Sequence, residues 1–285
     1  MHKSLRGRDK MRRRRITEIF PFLLPIRKFQ RKIFFYLGMF FDGNKYAKTK
    51  SQERLEYEIF QTESVIINKS SGFDIQYQIN KEYNLKLASK TINGLIIKPN
   101  EVFSFWQLVR HGDKDQPYKD GLNLVNGQIV GSYGGGLCQL SNDLYWAFLH
   151  TPLTILERHG HVAQNFPSIN SDDIKGVDAT ISEGWKDLKV KNETNKTFQI
   201  IIHFLDGSIH ISILSDFQAN TEYEILNKNL EYYKRDDDIY EEVSLVRRER
   251  NKDSKETKEV ELYRNKTKIS YKLEDHKKVL ERKVV

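Results

Sequence analysis

Cysteine is nearly absent: the 285 residues contain one, Cys138. That excludes an intramolecular disulfide and any zinc site built from several thiolates. Long apolar runs are missing as well. Two short ones, over residues 19–26 and 33–41, fall well below the ~20 residues that cross a bilayer. Pro21 and Pro25 interrupt the first run. No small-residue cleavage pattern follows the second, so the pattern of a secretory signal is lacking too. The body also has little excess charge. The net charge is +8, yet residues 1–32 hold twelve Lys or Arg against two acids, and the rest holds 35 against 37. A nucleic-acid channel needs a basic face on the folded domain, so nucleic acid is not an expected partner. There is no internal repeat, and no Pro- or Gly-rich linker before residue 220.

What is present suffices for a sizeable core. Hydrophobic residues make up 38% of the chain and aromatics 12%, with Tyr and Phe supplying much of the filling. The positive charge is concentrated in an arm over residues 1–50, where Arg12 to Arg15 precede the two apolar runs and Arg27, Lys28, Arg31 and Lys32 separate them. Two readings of this arm stand side by side. Residues 12–41 lie on an anionic membrane surface, or they form a helix docked on the protein's own body. The first places the protein in the cytoplasm or peripherally at the inner membrane face.

The main domain is expected over residues 51–220. "NKEYNLKLASKTING", residues 80–94, reads as a helix stopped by Asn93-Gly94. "LIIKPNEVFSFW" reads as strand, turn and aromatic strand, and "PYKDGLNLVNGQIV" as loop followed by strand. A helix is expected over about 138–150. Four strand-like runs follow over 177–214: "VDATIS", "DLKVKNET", "TFQIIIHF" and "DGSIHISIL". Asp206-Gly207 between the last two is a hairpin signal. Helices first and strands later indicate an α+β fold. Residues 221–285 are highly charged and read as an antiparallel hairpin with a solvated face and a frayed tail.

The cysteine stands in "GSYGGGLCQLSNDLYWAFLH", residues 131–150. Glycines running into a helix expose backbone N–H groups, and the helix N-terminus carries partial positive charge. A thiol there is biased toward thiolate, and the N–H groups of Gly135, Gly136 and their successors suit a developing oxyanion. Gln139 offers a side-chain donor, and Ser141 is a further polar neighbour. This is an arrangement for nucleophilic acyl transfer. The competing reading is a small buried residue with glycines serving close packing.

A base is available in "LTILERHGHVAQNFP". His159 and His161 occupy alternating positions of an extended segment, so both are expected to point one way. His150 lies roughly 18 Å along the helix from Cys138, too far to serve. Arg158 suits a substrate carboxylate. Asp178, at the start of a strand, is the candidate to orient an imidazole, with a turn role as its alternative. A three-ligand zinc site from His159, His161 and Cys138 or Asp178 lacks the usual spacing motifs, so no metal or cofactor is expected.

"EVFSFWQLV", "PYKDGL", "YGGGLCQLSNDLYWAFLH", "LTILERHGHV", "GVDATISEGWKDLKVKN" and "TFQI", in this order, resemble the VanW family over roughly residues 12–250. The resemblance implies a role in glycopeptide resistance. Some larger family members are L,D-transpeptidases that crosslink peptidoglycan stem peptides through a cysteine acyl-enzyme. It places that cysteine at Cys138, an Arg-x-x-His element at Arg158 and His161, and an acidic position at Asp178. Peptidoglycan stem peptides or precursors are then the expected partners, with a non-catalytic precursor-binding protein as the alternative. One departure stands out. Many members have Ser-Thr-Thr where this chain has Ser141, Asn142 and Asp143, and Asp143 opposes thiolate formation if it faces the sulfur.

Overall fold

A computed structural model of the chain describes residues 20–68, 72–125, 128–164, 174–273 and 277–281. The basic cluster Arg12 to Arg15 lies outside them. After a turn of 3₁₀-helix, α1 (Leu24–Phe41) leads into β1 (Lys45–Tyr46) and β2 (Tyr57–Val65). Then come α2 (Ile75–Ile92), β3 (Leu95–Ile97), β4 (Glu101–Ser104), the short α3 (Phe105–Val109), β5 (Asp120–Val125) and β6 (Gln128–Tyr133). Helix α4 (Leu137–Leu149) carries Cys138, and β7 (Thr154–Glu157), β8 (Ala163–Gln164), β9 (Lys189–Lys191), β10 (Phe198–Leu205) and β11 (Ser208–Ser215) follow. The chain closes with three long strands, β12 (Thr221–Arg235), β13 (Asp238–Asn251) and β14 (Thr257–Ile269), and the short β15 (Val279–Glu281). The fold class is α+β, as the sequence indicates.

The core lies between a sheet ordered β2-β11-β10-β3 and helices α2 and α4. Alternation builds the sheet side: Ile200 pairs with Ile213 and Ile202 with Ile211, and all four are buried. Helical spacing builds the other side, with Leu85, Ala88 and Ile92 from α2 and Leu137, Leu140 and Leu144 from α4. Helix α2 begins five residues earlier than its apolar pattern indicates. Asp74 caps it by accepting from the Gln76 backbone N–H at 2.8 Å. The Asp206-Gly207 turn has both residues at positive φ and joins β10 to β11 as a tight hairpin.

Several expectations need correction. Residues 177–180 form no strand; the segment is held instead by hydrogen bonds to α4 and to the loop after β7. The run over residues 117–130 is part of a hairpin, β5 with β6, not loop then one strand. Residues 126 and 127, Asn and Gly, lie outside the described residues between them. The C-terminal segment is larger than one hairpin: β12, β13 and β14 form one antiparallel sheet, and residues 279–281 of the expected tail pair with β12. This sheet is continuous with the body, because β14 pairs with β8 and because Ile225 and Leu245 enter the main core. No helix among the described residues is long and apolar enough to cross a membrane.

Candidate active site

The glycine run places the cysteine. Gly134 and Gly136 have φ of 69° and 93°, turning the chain from β6 into α4. Gly135 crosses Gly121 of β5 so closely that an added Cβ would stand 2.1 Å from the Gly121 carbonyl carbon. Buried Asn84 of α2 braces this crossing, donating to the carbonyls of Lys119 at 2.8 Å and Gly135 at 3.0 Å. Gly135→Ala is therefore expected to destabilise the fold by roughly 1–3 kcal/mol or more, visible as a lowered thermal midpoint. The packing role of the glycines is realised, but the Gly134 and Gly135 N–H groups donate to the Lys119 and Ser132 carbonyls at 3.1 Å each, so the expectation that Gly135 offers a donor to an oxyanion is corrected.

Cys138 is the second residue of α4, where backbone N–H groups have no partner earlier in the helix. The Gln139 N–H is taken up by the Gly136 carbonyl at 3.0 Å, which leaves those of Leu137 and Cys138 as donors in the first turn. His161 lies in the loop between β7 and β8, not on a strand. Its Nδ1 hydrogen-bonds Asp178 Oδ2 at 2.7 Å, its backbone N–H donates to the same oxygen at 2.5 Å, and its ring lies close enough to the Cys138 thiol for each to shift the other's pKa. Thr180 Oγ1 stands 3.9 Å from the sulfur.

Burial alone pushes the Cys138 thiol up, but His161, the Ile181 backbone N–H and Thr180 outweigh it and hold its pKa below the ordinary value. Burial alone pulls His161 down. Asp178 and the thiol outweigh it and raise the imidazole to about 9. Asp178 is pulled the other way: burial raises it, and His161 and Arg158 bring it below the ordinary carboxylate value. All three shifts run toward the thiolate, imidazolium and carboxylate forms.

Arg158 stands behind this row, not in front of a substrate. Its Nε donates to the Asp178 carbonyl at 2.5 Å, one Nη pairs with the Asp178 carboxylate and donates to the Gly176 carbonyl at 3.0 Å, and both Nη groups reach Asn265. Its guanidinium carbon lies 4.3 Å from the Tyr263 ring centroid and 5.7 Å from that of Tyr145. The expectation that Arg158 holds a substrate carboxylate is corrected: its donors are spent on positioning Asp178. Tyr145, Tyr263 and Asn265 went unrecognised in the sequence. Two of them arrive from β14, a hundred residues further on.

Four other expected residues are brought near the thiol but turned to different tasks. His159 does not share the direction of His161; its Nε2 bonds Glu157 Oε1 at 3.0 Å, so the donors of the zinc alternative do not converge. Gln139 spends its amide donors on Ser64 Oγ and the Val65 carbonyl, at 2.9 and 3.0 Å, and offers none to an oxyanion. Ser141 is fully buried and donates to the Ala179 carbonyl at 2.6 Å, and Asn142 accepts from the Ala179 N–H at 2.7 Å. Together they tie α4 to the segment carrying Asp178. Asp143 turns toward β2 and accepts from Ser64 Oγ at 2.7 Å, with burial pushing its carboxyl up to about 6. Asp143→Asn should thus change the alkylation rate of Cys138 by less than about threefold, a screened charge effect and not a lost base. His150 stacks on Phe60 with ring centroids 3.9 Å apart, away from the thiol.

The chain is similar to known proteins over most of its length. The family described as "VanW like protein" matches residues 80–214. The Vancomycin B-type resistance protein VanW of Enterococcus faecalis (strain ATCC 700802 / V583) is 52% identical over 264 residues, covering 92% of this chain and 96% of that one. The Uncharacterized protein YoaR of Bacillus subtilis (strain 168) is 31% identical over 142 residues, 50% of this chain and 45% of that one. No solved structure matches.

Proposed function

Because the chain belongs to the VanW family, we propose that it serves glycopeptide resistance as a cysteine acyltransferase acting on peptidoglycan stem peptides. The vancomycin-resistance description of its Enterococcus relative supports the role. The observation that carries the chemistry is the aligned row Cys138, His161, Asp178 and Arg158, in which the thiol is lowered and the imidazole raised.

The reaction follows from that row. The Cys138 thiolate attacks the carbonyl carbon of a stem-peptide bond and forms a C–S bond. The Leu137 and Cys138 N–H groups hold the oxyanion. The His161 imidazolium gives its proton to the departing amine as the C–N bond breaks, leaving a thioester and a neutral imidazole. An acceptor amine or water then attacks the thioester carbonyl and passes its proton to His161. The C–S bond breaks, and thiolate and imidazolium return. Asp178 stays ionised throughout and orients the ring through Nδ1.

Cells carrying the complete resistance determinants, with Cys138→Ala in this protein, should fall to the glycopeptide resistance of a strain lacking it. Undiminished resistance at equal protein abundance would remove the catalytic reading and leave a precursor-binding protein.

A further inference from the structure

Helix α1 is pinned to the body along one side only. Tyr36 donates to Glu183 Oε1 at 3.0 Å, Lys32 pairs with the same carboxylate, and Gln107 reaches the buried Met39 sulfur at 3.2 Å. The Arg110 guanidinium lies 4.6 Å from the Tyr36 ring centroid. These contacts fix the rotation of the helix about its axis. The docked-helix reading of the arm is therefore realised for this segment, but it accounts for one face.

The face beside it is apolar and bare. Phe22, Ile26, Phe29, Ile33, Leu37 and Phe40 are spaced by four, three, four, four and three residues, and each is between 41% and 79% exposed. That spacing is one continuous helical stripe, begun in the 3₁₀ turn before α1. Phe34 and Phe41, 71% and 77% exposed, widen it along one side. A contiguous stripe of this size on a folded surface marks an interaction site. Its charge says with what. The sequence of α1 contains Arg27, Lys28, Arg31 and Lys32 and no acidic residue. Arg27 and Lys28 have no carboxylate partner among the described residues. Trp185, 61% exposed on a separate loop, sits under Arg31 at 4.9 Å and adds an aromatic of the kind favoured where apolar and aqueous phases meet.

We propose that this face of α1 is a docking surface for an anionic phospholipid membrane. The apolar stripe enters the boundary between headgroups and acyl chains, and the basic residues beside it reach the phosphates along flexible stems. The helix lies in the membrane plane, because its 18 residues include four fixed charges and do not span. A second copy of the chain fits less well, since two such faces would bring like charges together without an acid to offset them. The proposal is independent of the chemistry at Cys138.

The full chain would be sedimented with vesicles of phosphatidylcholine, and with vesicles in which part of the lipid is phosphatidylglycerol. Binding is expected to the second kind and to weaken as salt rises. Arg27→Glu with Lys28→Glu should lower the affinity at least about tenfold, since two charges near an anionic surface change sign. Phe29→Ser with Phe40→Ser should lower it comparably. Both variants should keep the wild-type alkylation rate at Cys138, which reports an intact fold. Equal binding to both vesicle types, no binding to either, or a wild-type dimer that these variants dissociate in ultracentrifugation would overturn the proposal.

Discussion

His161→Ala is expected to move the pH midpoint of Cys138 alkylation from below the free-thiol value of ~8.5 to that value or above. His161 is the largest of the influences that lower the thiol, and without it only the Ile181 N–H and Thr180 are left to oppose burial. Acyl transfer should fall further than alkylation, by at least ~10²-fold, because the variant also loses the proton donor for the leaving amine. The wild-type profile should have two limbs. Below the depressed thiol pKa the nucleophile is protonated. Above about 9 the imidazole is neutral and cannot protonate the leaving group. Alkylation needs no such donor and should stay high on the alkaline side, so iodoacetamide kinetics and peptide turnover should diverge there. A variant whose alkylation midpoint stays at the wild-type value would show that the imidazole does not set the state of the thiol.

Arg158→Met is expected to cost about 3–5 kcal/mol, the usual size when one member of a largely buried ion pair is removed and the other is left charged. For a chain of this size that corresponds to a thermal midpoint lower by roughly 10 °C. The sign with pH can be read from Asp178. Its pKa is lowered in the folded state, so the stability it contributes is present above the ordinary 3.8 and is lost as pH falls through the folded value. The difference between Arg158→Met and wild type should therefore shrink in acid. Adding Asp178→Asn to Arg158→Met should restore part of the lost stability, because no unpaired charge then remains. Were Arg158 a substrate-binding residue with a free guanidinium, its loss would raise KM and leave the melting curve in place.

The features legible in the sequence were those with local causes. The run Gly134 to Gly136 announces a turn into a helix that starts at the thiol, and α4 begins at Leu137. Asp206-Gly207 announces a hairpin through its backbone preferences alone. The β5–β6 hairpin carries the same kind of signal in Asn126-Gly127. The rest depends on contacts between distant residues. Arg158 looks like an anion binder from its neighbours His159 and His161. What decides its role is Asn265, 107 residues away, and the aromatic pair Tyr145 and Tyr263. Side-chain direction was illegible for a related reason. Gln139 and Asp143 belong to the stretch that follows the thiol, yet both are drawn toward Ser64 on β2. Asp143 consequently does not impose the penalty on the thiolate that its position in the chain threatens.

The central claim is that Cys138 becomes acylated by a stem peptide. Intact-mass spectrometry of the purified protein, quenched in acid after incubation with a disaccharide tetrapeptide, tests it most directly. The expected result is one added acyl group located on Cys138, absent in Cys138→Ala and strongly reduced in His161→Ala. An unmodified wild-type mass, with the peptide unchanged and the thiol still rapidly alkylated at neutral pH, would contradict it.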